Sequence, residues 1–139
     1  MPRLEYFLVA ESLAIDALTN RVSIFNVLEE VVMPSFPSAL PTVTAIACWY
    51  AEPGENPERD FQASYVAHVQ GELDRQYDVN FRLPQRRART YIQLQGFPAQ
   101  RPGELIFELR LNGEHVAEHR ITVALALTAE APIVGRSNS

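Results

Sequence analysis

Tyr77, Val79, Phe81 and Leu83 alternate with Gln76, Asp78, Asn80 and Arg82, and Leu105, Phe107, Leu109 and Leu111 repeat the pattern up to Asn112-Gly113. A period of two sends one face of a strand to a core and the other to water, so these runs belong to an antiparallel sheet. No stretch between Phe61 and Leu127 carries helical spacing. Ten prolines divide the chain: Pro34, Pro37 and Pro41 fill one connector, Pro53 and Pro57 a polar loop, Pro84 follows a strand, and Pro98 and Pro102 lie in another turn-rich stretch. Proline lacks the amide that a central strand donates, so these positions are expected to mark gaps. About eight runs remain, at 3–10, 22–32, 42–51, 61–70, 76–83, 90–97, 104–111 and 115–127. The expectation is an all-β fold of about eight antiparallel strands in a two-sheet sandwich, with a small open barrel as the alternative.

Three stretches need more than alternation. Ala10, Leu13, Ala14, Ala17 and Leu18 fit helical spacing, but Thr19-Asn20-Arg21 reads as a turn and Val22 to Val27 is β-rich, which favours a hairpin over a helix at 11–18. Val43 to Ala51 is apolar at both parities, as in a central strand covered on both faces. A plain two-residue loop at Asn112-Gly113 would bring Glu114, Val116, Glu118 and Arg120 to the apolar side. A three-residue loop or one bulge instead brings His115, Ala117, His119, Ile121 and Val123 there, and that register is preferred because the first buries charge.

The 139 residues, 47% apolar and 21% charged, suit one folded domain over 1–127 with a polar tail at 128–139 that is expected to fray. A net charge of −5 gives no pull toward nucleic acid or anionic membranes. The apolar run Tyr6 to Ala10 is stopped by Glu11, too short for a signal-peptide core or a membrane span, so a cytoplasmic protein is expected. Cys48 is the one cysteine; it excludes an internal disulfide and reads as a small buried hydrophobe.

No motif demands a particular chemistry, and neither a cofactor nor a catalytic set is expected. His115-Val-Ala-Glu118-His119 matches the letters of an inverted zinc-peptidase motif, but that chemistry needs a helix. On a strand the two imidazoles would stand about 13 Å apart. Ser64 and His68 with a carboxylate could form a triad only if the fold assembled it, and the neighbouring acids Glu29 and Glu30 point to opposite faces of a strand. Arg82, Arg86, Arg87 and Arg89 concentrate positive charge around Leu83-Pro84. Four guanidinium groups on an exposed loop suit contact with an anion or an acidic partner.

From Glu5 onward, the order Glu-Tyr-Phe-Leu-Val-Ala-Glu-Ser, then Thr-Asn-Arg, then Ser-Ile-Phe-Asn-Val-Leu-Glu-Glu, resembles the opening of a family of small uncharacterised bacterial proteins. Pro102 to Gly113, Pro-Gly-Glu-Leu-Ile-Phe-Glu-Leu-Arg-Leu-Asn-Gly, is similar to that family's closing hairpin. The resemblance implies a bacterial β-sandwich and carries no activity and no functional residues. The expected role is therefore a non-enzymatic interaction or structural module that binds a protein partner or itself, and not nucleic acid or membrane. A small-molecule-binding protein or hydrolase with its site at one end of the sandwich is the alternative.

Overall fold

The computed structural model describes residues 1–127; the segment 128–139, expected to fray, lies outside the described residues. Nine strands follow one another: β1 (Arg3–Ile15), β2 (Val22–Val27), β3 (Glu30–Met33), β4 (Ser38–Tyr50), β5 (Phe61–Val69), β6 (Arg75–Phe81), β7 (Arg87–Ala99), β8 (Gly103–Leu111) and β9 (Glu114–Leu125). They form a four-stranded sheet, β2-β1-β4-β7, and a five-stranded sheet, β3-β9-β8-β5-β6. Neither closes on itself, so the fold is the expected all-β two-sheet sandwich and not the barrel. Val9, Trp49, Phe61, Tyr65, Phe107, Leu109 and Ile121 pack between the sheets. Phe81 links two of them, stacking on Trp49 at 5.5 Å between ring centroids and meeting Phe61 at 5.6 Å.

The helical spacing at 11–18 belongs to the end of β1 and the turn that leads into β2, so the hairpin is correct. The carboxylate of Asp16 holds this turn by accepting from the Leu18 and Thr19 amides. Val43 to Tyr50 lies, as expected, in a central strand: β4 has β1 on one side and β7 on the other.

The run 22–32 is two strands in different sheets. Asn26 adopts a φ of 57°, Leu28 turns into the core, and its amide donates to Val9 O at 2.8 Å. The chain thereby leaves the edge of one sheet and joins the edge of the other as β3, parallel to β9. A connection that crosses between sheets has no need to return antiparallel to its origin. Two prolines expected in gaps also lie in strands. Pro41 sits in β4 beyond the last β1 partner, Thr44, where that strand has a neighbour on one side only. Pro98 sits in β7, an edge strand. An amide can be spared at both places.

At Asn112-Gly113 the loop is the plain two-residue one, and the expected bulge follows it. Leu111 pairs with Glu114 across a two-residue turn, with φ of 49° at Asn112 and 87° at Gly113. The register then shifts beside Leu109 and Arg110, leaving Val116 unpaired. Parity changes only from Ala117 onward, so Ile121 and Val123 reach the core as expected. His115 does not, since it precedes the bulge and shares the outer face with Arg110.

One hydroxyl inside the core joins the sheets. Thr90 on β7 is buried; its Oγ accepts from Trp49 Nε1 at 3.0 Å and lies 2.6 Å from Tyr65 Oη. The tyrosine hydroxyl also donates to Thr90 O at 2.8 Å, and burial raises its pKa. Thr90→Val should cost about 1–3 kcal/mol, because a buried indole N–H loses its acceptor. Thr122→Val, which removes only an exposed bond to Glu104, should stay within about 0.5 kcal/mol. Urea midpoints at constant m measure both, and equal losses would contradict this role for Thr90.

Candidate functional site

The four arginines singled out from the sequence are not one loop cluster. Arg82, just past β6, bonds to Asp60 at 2.6 Å and lies 3.5 Å from Glu58. Arg87 and Arg89 belong to β7. Arg87 makes a two-pronged pair with Glu5, at 2.6 Å and 2.8 Å, and Arg89 donates to the backbone and side-chain oxygens of Asn20 at 2.8 Å and 2.7 Å. Arg86 is exposed and its carbonyl accepts from the Ala51 amide. Alternation along β7 causes the division: Ala88 and Thr90 turn inward, while Arg87, Arg89 and Tyr91 turn outward over the four-stranded sheet.

That outer face is unusually apolar. Directly opposed residues share a face, and the register aligns Leu8, Ile46 and Tyr91 across β1, β4 and β7, with Val27 beside Ala10 and Phe25 beside Ser12. Phe25 is 48% exposed, Val27 39% and Tyr91 42%, while Ile46 beneath them is wholly covered. At one end the face deepens into a groove of about 740 Å³ lined by Tyr6, Cys48, Arg21, Arg87 and Arg89. A bulge between Leu4 and Tyr6 turns Glu5 toward this groove. Arg87 holds the Glu5 carboxyl below its ordinary range. Cys48 Sγ donates to Glu5 at 3.5 Å, and burial followed by the Glu5 bond pushes the thiol's pKa up. A protonated, buried thiol is a poor nucleophile.

The outer face of the five-stranded sheet is polar and satisfies itself. Glu108 receives His68 Nε2 at 2.9 Å, Arg110 at 3.0 Å and His115 Nδ1 at 2.9 Å. His68 Nδ1 lies 3.0 Å from Asp74. The Arg110 bond is the main cause holding Glu108 down at about 2, helped by both histidines and opposed by desolvation. Glu108 in turn is the main reason that the His68 pKa is raised. Across β9, Glu118 stands directly opposite Glu108, and Arg120 takes its charge at 3.3 Å. The sequence marks Glu108 only as an outward residue; Arg110 is its neighbour on β8, and its histidine partners come from β5 and β9.

These placements separate the remaining candidates. His115 and His119 sit on a strand, with the bulge between them; His119 Nε2 meets Leu28 O at 2.6 Å while His115 turns to Glu108. Ser64 donates to Asp78 at 2.7 Å and His68 lies between Glu108 and Asp74, so serine and histidine are not paired. Glu29 and Glu30 stand at the entry to β3, where the Glu29 carbonyl accepts from the Thr122 amide. No helix long and apolar enough to cross a membrane occurs among the described residues.

A family of unknown function, DUF6941, matches residues 5–124. No curated protein matches the chain in sequence. Among solved structures the chain is similar to the Pseudomonas fluorescens alkylpurine DNA glycosylase AlkC bound to DNA containing an abasic site analog, with a TM-score of 0.55 and 7% identity. The likeness covers 88% of this chain and 30% of that enzyme, and it is a likeness of fold alone.

The charge cluster predicts a pH profile. Glu108, lowered from 4.5 to about 2, contributes stability that is present above its unfolded value and lost as pH falls through its folded one. His68, raised above 6.5, contributes stability that is present below that value and lost as pH rises through its raised pKa. Both contributions are full between about 4.5 and 6.5, and there Glu108→Gln should lower stability most, by about 1 kcal/mol for partly exposed pairs. Melting temperatures of the two proteins across pH check this. A gap that stays constant from acid to alkali would contradict it.

Proposed function

The chain belongs to DUF6941, a family of unknown function, and we propose that it is a non-enzymatic interaction module whose outer four-stranded face docks another protein. One observation carries the reading: exposed apolar side chains on both edge strands of one face, Phe25 and Val27 on β2 and Tyr91 on β7, flank Leu8 and Ile46, with arginines at one end. A large apolar patch with a polar rim is the surface expected of a protein partner rather than of bulk water. The five-stranded sheet, with its charges internally paired, offers no such patch.

The partner's contacting segment is apolar with acidic flanks. Arg89 is held by a neutral asparagine, and among the described residues no carboxylate lies within ion-pair distance of Arg21. Glu5 already balances Arg87, so Arg87 serves mainly to fix the groove wall. A second copy of the chain would have to bring its own apolar face to this one, which makes self-association the competing form of the same reading. The net charge of −5 supports a protein partner over nucleic acid. Bacterial origin, implied by the resemblance of the opening strands, and a cytoplasmic location are part of the proposal.

Charge placed on the face tests this. Phe25→Glu with Tyr91→Glu should abolish association with the partner recovered from the native host, or convert a dimer to a monomer, while melting stays close to wild type. Val32→Glu is the control, since Val32 is 59% exposed but lies on β3, the edge of the other sheet. Arg89→Ala should weaken a heterologous complex, more at low salt than at high, because exposed charges are screened within about 8–10 Å. Association that survives the double change on the face, or a strict monomer without any partner, would overturn the proposal.

A further inference from the structure

At the end of the sandwich where β4 begins, the sheets part around a cavity of about 390 Å³. Leu40 and Phe97 come from the four-stranded sheet, and Leu105 and Val123 from the five-stranded one; all four are nearly covered in the fold and floor the space. The Phe97 ring also packs on Phe107 at 5.8 Å and carries the Arg75 guanidinium 5.5 Å above it. The volume lies at the lower end of the range for small-molecule sites, which are typically apolar with a few placed polar groups.

The cationic group among those lining the cavity is Arg101, beside Gln70, Gln100 and Glu104. Its guanidinium donates to Gln70 O at 2.8 Å and lies over Gly71, where a Cβ would collide with it. Gly71 also has a φ of +80°, which an ordinary side chain rarely tolerates, so the residue both turns the chain and leaves room for the arginine. Elsewhere Arg82, Arg87, Arg110 and Arg120 are each paired with a carboxylate. Among the described residues no carboxylate lies within ion-pair distance of Arg101, and only part of its donor set is used by Gln70. A guanidinium held in place by backbone, beside an apolar slot and without a counter-ion, is preorganised for an anion with an apolar tail.

We propose that this cavity binds a small apolar monocarboxylate, with its tail resting on the floor of Leu40, Phe97 and Leu105 and its carboxylate on Arg101. A dianion fits less well, because Glu104 stands at the same opening and accepts from Thr122. The site is separate from the docking face. Its floor residues belong to strands, with Leu40 directly opposite Phe97, while Gln70, Gly71 and Arg101 come from the turns at its mouth.

Hexanoate and hexanol, matched in tail and differing in charge, serve as probes, followed by amide chemical shifts of the full chain. Hexanoate should give saturable shifts at residues 70–71 and 99–105 and raise the melting temperature. Hexanol should bind at least about tenfold more weakly, the ratio that loss of one charge-assisted contact produces. Arg101→Gln, an exposed change, should leave the ligand-free melting temperature unchanged and reduce hexanoate affinity to that of hexanol. Equal binding of the two probes, equal hexanoate binding by wild type and Arg101→Gln, shifts confined to other regions, or no saturable shift would each overturn the proposal.

Discussion

The buried Thr90 hydroxyl is the contact on which the sandwich depends. Apolar packing between two sheets is non-directional and tolerates sliding. The hydrogen bonds from Trp49 and Tyr65 to Thr90 do not, because a shift of an ångström would strand an indole N–H and a phenol in the core. Trp49 lies on β4, Thr90 on β7 and Tyr65 on β5, so one residue sets the spacing of neighbours within a sheet and the register between sheets. The outward side chains of β7 are thereby fixed: with Thr90 inward, Arg89 and Tyr91 on either side of it have no orientation but outward.

The two outer faces then differ in kind. On the five-stranded sheet, Glu108, His68, His115, Arg110 and Asp74 pair with one another, and Ser64 is occupied by Asp78. Such a face is at ease in water and has little left to offer a partner. On the four-stranded sheet the central positions are apolar and the charges stand at the margin. The contrast between a satisfied polar face and an unsatisfied apolar one is what the proposed interaction role rests on. Cys48, the one thiol, is held protonated by burial and by Glu5, and Ser64 and His68 each have other partners.

Strand content was legible because alternation is local. Leu105, Phe107, Leu109 and Leu111 face the core as their pattern requires, and Val43 to Trp49 is covered on both faces as its uniform apolarity requires. What depended on distant residues was not legible. The break at Asn26 looks like any β-rich asparagine until Leu28 is seen to bury against the core. The position of the bulge at Val116 decides that His115 faces Glu108, yet bulges one residue earlier or later would serve the apolar pattern nearly as well. The arginines read as a cluster because they are close in sequence; Arg87 finds Glu5 from 82 positions away, a pairing that composition and spacing do not encode. The end cavity was likewise hidden, since its floor comes from four strands and its arginine from a turn.

Methyl cross-saturation in the complex with its partner tests the central claim most directly, because it reads which side chains touch the other protein. Saturation should concentrate on Leu8 and Val27, extend to the ring of Tyr91, and leave Val32 on β3 and Ile106 on the opposite sheet unaffected. Saturation centred on Val32, on Ile106 or on the Glu108 cluster would contradict the assignment of the four-stranded face.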